Sequence, residues 1–563
     1  MVPNALREYE SVSPDSTAAG DISAVRMAVD VRRFSWVRPL AGDYAFNFTR
    51  IAPLYSGDPR SPEAWKEAVA RVQGRPRDRG AVARALAAQQ SRRNAPPACR
   101  EAAHSLADSQ TVAIVTGQQA GVFGGPLFTV LKSITAIRLA RQVSDAMGLR
   151  AVPVFWVDAE DHDWEEIASC TVLDAQSQPC TITVPAPDGA GELSVAALRL
   201  DDRVGEAIAA VGAALPRTEF SDSTLEQLRA AYRPGTSVSE AFCAWLESLL
   251  GSAGLVVFDS ADPAVKPLLS NVFQHEIATA GKSAALVKEA GNRLSERGHA
   301  PQIVAQPGSV ALFRIDDART PVRHESGRFG VGDRSYTAEA LAAEAERHPH
   351  LFSPNVFLRP IVQDTLFPTV CYVAGPSELA YLGQLREVYA HFGVPMPLIH
   401  PRATATLIDS ATYRFLTKYN VPLEALQPRD ESALNRLLEA QLPPAVEETL
   451  TDTGELIRRA MQRVIDVMPA VDPTLAGAAQ STLGKMEHEL ATLRNKLLQA
   501  VKRRNETLRR QFTRAQALTF PNGHQQERAL AVVHFLNLYG PALVDRLLEE
   551  LPLELGQHWV LTI

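Results

Sequence analysis

Two short runs, "TVAIVTG" (111–117) and "AVPVFWV" (151–157), constrain the fold more than anything else in the chain. Each is apolar at nearly every position instead of every second one. A strand with one face in water alternates. A continuous run marks a strand buried on both faces, as in a parallel sheet covered by helices. Between the two lies "PLFTVLKSITAIRLAR" (126–141), which reads as an amphipathic helix. Strand, helix, strand is the β-α-β crossover of α/β folds.

The pattern recurs. "TVCYVAG" (369–375) reads as a strand, "PSELAYLGQLREVYAHFG" (376–393) as one helix, and "VPMPLIHPR" (394–402) as a returning strand and loop. Both units open on Thr-Val and place Gly-Pro ahead of the helix, where proline's fixed φ suits the first turn. "GLVVFDS" (254–260) is a third buried strand. The expectation is an α/β protein, with a Rossmann-like, doubly wound, mostly parallel sheet built from two halves.

A chain of 563 residues exceeds one hydrophobic core. The first half of the sheet, with an N-terminal arm, is expected over 1–170 and a first insertion over 171–250. A core strand and helix follow over 251–275, a second insertion over 276–350, and the second half over 351–428. The texture then becomes helical. Leu483, Met486, Leu490, Leu493, Leu497 and Ala500 follow a coiled-coil seam, and Leu456, Ala460, Val464 and Val467 form another stripe. The simplest arrangement over 429–520 is an antiparallel hairpin closed at "MPAVDP" (468–473), with an intermolecular coil as the rival. Helices over 521–563 are expected to pack back on the body.

Composition narrows the function. Hydrophobic residues make up 46% and charged residues 21%, and the net charge is −7. That balance argues against a general nucleic-acid or membrane-surface binder. The N-terminal "MVPNALREYESVSPDS" lacks the apolar core of a signal peptide, and no apolar run approaches about 18 residues. A cytoplasmic location is expected. Cys99, Cys170, Cys180, Cys243 and Cys371 form no C-x-x-C pair, so free thiols are expected.

Chemistry-bearing residues gather at the strand ends. After the first strand, Thr116 precedes Gly117, Gln118, Gln119, Gly121, Gly124 and Gly125, with Lys132 two turns into the helix. This matches neither the dinucleotide fingerprint nor the P-loop. Glycines still let backbone N–H groups approach an anion at a helix start, and the two amides suit polar substrate groups. The alternative is a tight turn with no ligand. "VDAEDHDWEEI" (157–167) follows the second strand with Asp158, Glu160, Asp161, His162 and Asp163. Its carboxylates could hold Mg²⁺, or Glu160, Asp161, His162 or Asp163 could take a proton from an amine. The alternative is a helix cap at Asp161 or Asp163. No metal-ligand set is established. Arg359, Gln363 and Asp364 precede the fourth strand, and Gly375, Ser377, Glu378 and Tyr381 follow it. Arg402 and Asp259 stand at two further strand ends. Guanidinium forks suit carboxylates, although Arg359 and Asp364 could also form a structural pair.

"TGQQAGVFGGPLFTVLKSITAIRLA", "PVFWVDAEDHDWEEI" and "LRPIVQDTLFPTVCYVAGPSELAYLGQL", with "GLVVFDSADP" and "PNGHQQER", resemble the bacillithiol biosynthesis cysteine-adding enzyme (BshC) family. The stretches run through most of the chain in family order. The resemblance implies a Rossmann-like core with two connecting insertions, a C-terminal α-helical coiled coil and a homodimer. It also implies the last step of bacillithiol synthesis, in which L-cysteine joins the glucosamine amine of glucosaminyl malate. Arg359 and Arg402 would then hold the malate carboxylates. Amide formation from a free carboxylate needs activation, so ATP with Mg²⁺ is the cofactor to expect, although no motif here establishes it. Two other readings stay open. One is a different nucleotide-dependent synthetase or nucleotidyl-transferase-like enzyme on a Rossmann-like fold. The other is a non-catalytic coiled-coil interaction protein, which would leave the strand-end charges scattered.

Overall fold

The computed structural model describes residues 26–563 apart from 307, 317, 442, 443 and 473. The N-terminal stretch read for a signal peptide lies outside the described residues. Val112–Gln118 forms strand β1, Leu127–Met147 helix α1, Ala151–Val157 strand β2 and Val256–Asp259 strand β3. Arg359–Leu366 is α2, Thr369–Ala374 is β4, Glu378–Leu382 is α3 and Leu398–Pro401 is β5. The strands lie in the order β3-β2-β1-β4-β5, all parallel. Strand order reverses between β1 and β4, so the connections leave on opposite sides and a crevice opens at their carboxyl ends.

Both faces of the sheet are covered, which is why its strands read as continuous apolar runs. Val112 and Ile114 of β1 pack with Ala136, Leu139 and Val143 of α1 and with Val69 and Val72 of the helix Pro62–Gln73. Ala113 and Val115, one residue out of phase, join the opposite core with Leu86 and Leu106. The helix α1 runs beyond Arg141 to Met147 and stops at Gly148, whose φ of 63° is left-handed.

The single helix expected over 376–393 is instead two short helices, α3 and Arg386–His391. Gly383 sits at the break. A Cβ there would stand 3.0 Å from the Tyr55 hydroxyl, which donates to the Leu379 carbonyl at 2.8 Å, so glycine admits this close approach of the N-terminal arm.

The first insertion is a hairpin, Ser169–Leu173 with Pro179–Thr183, followed by three helices between Arg203 and Leu250. The second builds an antiparallel sheet from Ser309–Ile315, Arg319–Glu325, Arg328–Val331 and Arg334–Tyr336, closed by Phe352–Pro354. The tail holds a strand that its sequence did not reveal. Gln557–Thr562 pairs parallel with Thr404–Ile408 and antiparallel with Arg26–Asp30. The C-terminus is thereby stitched to the chain leaving β5.

Pro444–Val467 and Leu475–Arg504 form the helical hairpin. Leu490 packs over Gly454, and Arg458 pairs with Glu487 at 3.1 Å. The seam is only partly spent inside the hairpin, because Leu456, Val467, Met486 and Leu493 remain exposed. All five cysteines are free thiols, four of them buried.

Three buried histidines make the fold acid-sensitive. Burial pushes His400, His534 and His558 down to about 4. In the unfolded chain each titrates near its ordinary 6.5, so between these values the unfolded state binds more protons. Their contribution is complete above about pH 6.5 and is lost as the pH falls through 4. At pH 5 each should have cost about 2 kcal/mol of stability. Buried carboxylates whose pKa burial raises, such as Glu247, Asp259 and Glu276, act in the opposite sense, so the test is residue-specific: His534→Gln should narrow the loss in urea midpoint between pH 7.5 and pH 5, and an unchanged loss would contradict this account.

Candidate active site

The crevice at the switch point holds a cleft of about 250 Å³. The end of β1 contributes Gly117, Gln118 and Gln119, α1 contributes Lys132, and the chain leaving β2 contributes Asp158. Arg359 starts α2. Gly375, Ser377, Glu378 and Tyr381 follow β4, and Arg402 follows β5. Gly117 is required by proximity, since a Cβ would lie 2.8 Å from the Trp156 carbonyl oxygen on β2.

An ordered polar chain crosses the floor. Lys132 is buried, and its Nζ donates to the Gly117 carbonyl at 2.9 Å and to Gln118 Oε1 at 3.2 Å, and pairs with Glu378 Oε2 at 2.5 Å. Gln118 Nε2 donates to Gln119 Oε1 at 3.2 Å. Gln119 Nε2 donates to Asp161 at 2.9 Å and to Glu166 at 2.6 Å. The two glutamines therefore wire the lysine to the acidic loop. Glu378 also accepts from the Gly375 N–H at 2.5 Å and from the Tyr372 and Tyr381 hydroxyls at 3.0 and 3.2 Å. Burial alone would raise its pKa, but the Lys132 ammonium and these donors hold it below the ordinary carboxylate value. Such a carboxylate is a weak base.

Two charged groups in the cleft remain uncommitted. Asp158 makes no side-chain hydrogen bond among the described residues. Burial pushes it above the ordinary carboxylate value, opposed by Arg359. Arg359 donates to Gln363 Oε1 and the Tyr381 hydroxyl, both at 3.2 Å, and has no carboxylate at ion-pair distance among the described residues. Arg402 differs. It forms a two-pronged pair with Glu527, at 2.6 and 2.9 Å, and both side chains are 1% exposed. It braces the wall and is not free to take a substrate carboxylate, which corrects that expectation.

Other expected residues lie outside the cleft. Thr116 donates to the Val373 carbonyl at 2.9 Å, joining β1 to β4. Glu160 turns away to a buried ion pair with Lys266. Asp161, His162 and Asp163 border a neighbouring recess, and Asp163 caps the short helix Trp164–Ile167 through the Glu166 N–H at 3.1 Å. Asp259 accepts from Ser239 and from the Ala261 N–H. Gln363 and Asp364 sit behind Arg359, with Asp364 accepting from Tyr389 at 2.6 Å.

Gly124 and Gly125 do not form an anion cradle. A Cβ on Gly124 would stand 2.3 Å from the Trp245 ring, so the turn is small in order to pack there. The N–H groups of Gly121, Gly124 and Gly125 are donated within the turn, and Gly124 also donates to the Tyr232 hydroxyl. Among the described residues no group of three or more His, Cys, Asp and Glu could hold a metal ion. The turn therefore offers no free N–H cradle for a phosphate, and no step is assigned to ATP or Mg²⁺.

Sequence reasoning missed Phe128, Trp156, Glu166, Val356, Tyr372 and Arg528 in the lining. Arg528 ends the "PNGHQQER" stretch, which resembled the family but showed no strand-end signal.

A family model for the BshC N-terminal Rossmann-like domain of bacillithiol biosynthesis matches residues 27–403, and one for the BshC C-terminal coiled-coil domain matches 405–563. The chain belongs to the BshC family. Relatives include three proteins named "Putative cysteine ligase BshC". That from Salinibacter ruber is 34% identical, over 92% of this chain and 95% of its own. That from Symbiobacterium thermophilum is 33% identical, over 91% and 95%. That from Koribacter versatilis is 32% identical, over 85% and 89%. In BshC terms, most of the cleft belongs to the Rossmann-like domain, while Glu527 and Arg528 come from the C-terminal one. No helix among the described residues is long and apolar enough to cross a membrane.

Proposed function

We propose that this BshC protein joins L-cysteine to the amine of glucosaminyl malate, completing bacillithiol. One observation carries the reading. An uncommitted carboxylate, Asp158, shares the cleft with a guanidinium, Arg359, that has no carboxylate at ion-pair distance among the described residues. Arg359 suits a malate carboxylate, because its fork is already oriented by Gln363 and Tyr381. Asp158 suits the amine. Its raised pKa makes it a better proton acceptor than the saturated Glu378.

In the step proposed, the amine nitrogen forms a C–N bond with the cysteine acyl carbon, and the leaving group departs from that carbon. Asp158 takes the amine proton. The acyl carbon has to arrive activated, since direct loss of hydroxide from a carboxylate is uphill. The residues named here act on the acceptor.

The same reading takes the protein as a cytoplasmic homodimer. The exposed Leu456, Val467, Met486 and Leu493 of the hairpin support a second copy there.

The test is chemical. Deleting the gene in a bacillithiol-producing host should make glucosaminyl malate accumulate and the thiol disappear, both read by mass spectrometry. Normal thiol levels with no accumulation would refute the assignment.

A further inference from the structure

Arg528 lies at the cleft mouth, on the four-residue helix Gln526–Ala529. Its guanidinium makes no hydrogen bond and no ion pair among the described residues. Its position is nevertheless set. The guanidinium carbon stands 5.3 Å from the centre of the Phe128 ring, which Arg402 also approaches at 5.4 Å. The preceding residue, Glu527, is locked to Arg402 and accepts the Ala405 N–H at 3.1 Å. Two residues further on, the chain bridges to the glycine turn. Leu127 N–H donates to the Leu530 carbonyl at 2.9 Å, and Val532 N–H donates to the Gly125 carbonyl at 3.2 Å.

The segment is thus pinned on both sides of an exposed cation that touches no carboxylate among the described residues, although Glu527, Glu378 and Glu166 lie close enough to act on its charge. The cleft contains a second cation without such a contact, Arg359, deeper in. Lys132 and Arg402, the remaining lining cations, are already paired. Two guanidiniums that line one cleft, neither in contact with a carboxylate among the described residues, match a ligand with two separated carboxylates.

Building on the function proposed above, we infer that Arg528 is a specificity-determining residue, which takes the second carboxylate of the acceptor's dicarboxylate arm while Arg359 takes the first. The C-terminal domain then selects the acceptor, and the Glu527–Arg402 pair positions the residue that does so. An acceptor sugar without the dicarboxylate would leave Arg528 without its ligand and bind weakly.

Two measurements test this on the full-length protein. The first is calorimetric binding of L-malate alone to the parent and to Arg528→Ala. Affinity should fall about tenfold or more in the variant, in keeping with loss of a charged hydrogen-bonding pair, and equal affinity would overturn the inference whatever the reaction proves to be. The second is steady-state ligation with glucosaminyl malate and with methyl glucosaminide. In Arg528→Ala the KM for glucosaminyl malate should rise about tenfold, with a much smaller change in kcat or in the KM for cysteine. The preference for the malate-bearing acceptor should shrink by the same factor, and Arg528→Lys should recover part of it. An unchanged preference would overturn the inference. Loss of malate binding in Arg528→Ala, together with normal thiol levels in the deletion strain, would refute the proposed reaction but leave the dicarboxylate site standing.

Discussion

Asp158→Asn should lower turnover by a factor of about 10² to 10⁴ at saturating substrates, the usual range for losing a positioned base. Asparagine keeps the shape and cannot accept the proton. Its alternatives in the cleft are committed, with Glu378 held by four donors and Glu166 by Gln119. The loss should fall on kcat with substrate affinity near normal, which separates a base from a binding residue. The pH profile gives an independent readout. Burial raises the Asp158 pKa, so the parent should lose activity on the acid side at a pH above that of an ordinary aspartate. Asp158→Asn should flatten that limb. His162→Ala should leave it in place, because His162 borders the neighbouring recess. A variant at Asp158 that turns over normally would move the proton acceptor elsewhere.

Glu527→Ala should cost about 3–5 kcal/mol of stability, the range for breaking a buried ion pair by removing one partner. Arg402 would be left as a buried guanidinium, hydrogen-bonded only to the Ala403 carbonyl at 3.1 Å. The Ala405 N–H would also lose its acceptor. The cost comes from the stranded charge more than from the lost bond, so removing both partners should be gentler. Arg402→Met combined with Glu527→Leu should recover much of the loss. Chemical denaturation of the three proteins tests this. A double variant as unstable as Glu527→Ala would show that packing, not the unpaired charge, sets the cost.

Parts of the molecule were legible because local chemistry dictates them. The runs at 112–118, 151–157 and 369–374 are buried on both faces, and only such strands are apolar at successive positions. Gly-Pro before α1 marked its start through φ alone, whereas its end at Met147, before Gly148, lies six residues beyond the expected Arg141. The end strand Gln557–Thr562 was not legible. "QHWVLT" interleaves a glutamine and a histidine, and its partners lie far away in sequence, at 26–30 and 404–408. The break between α3 and the next helix was not legible either, because an isolated glycine inside a helical pattern is commonly tolerated.

The strand-end rule brought Gly117, Gln118, Lys132, Asp158, Arg359, Glu378 and Arg402 to one cleft. It could not rank them. The sequence alone determines which residue types reach the sheet edge, because topology follows from hydrophobic pattern and connection handedness. Which of those groups keeps an unspent charge was decided only in the tertiary structure. Arg359 and Arg402 read alike as arginines at strand ends. One is tied to Glu527, which lies more than a hundred residues along the chain, and the other faces the cleft without a carboxylate. Asp158 and Glu160, two positions apart, part in the same way. The backbone turns Glu160 into the core to meet Lys266, while Asp158 keeps its carboxylate toward the cleft. A buried charge must be paired by whatever the fold brings near it, and pairing over such distances leaves no trace in local sequence.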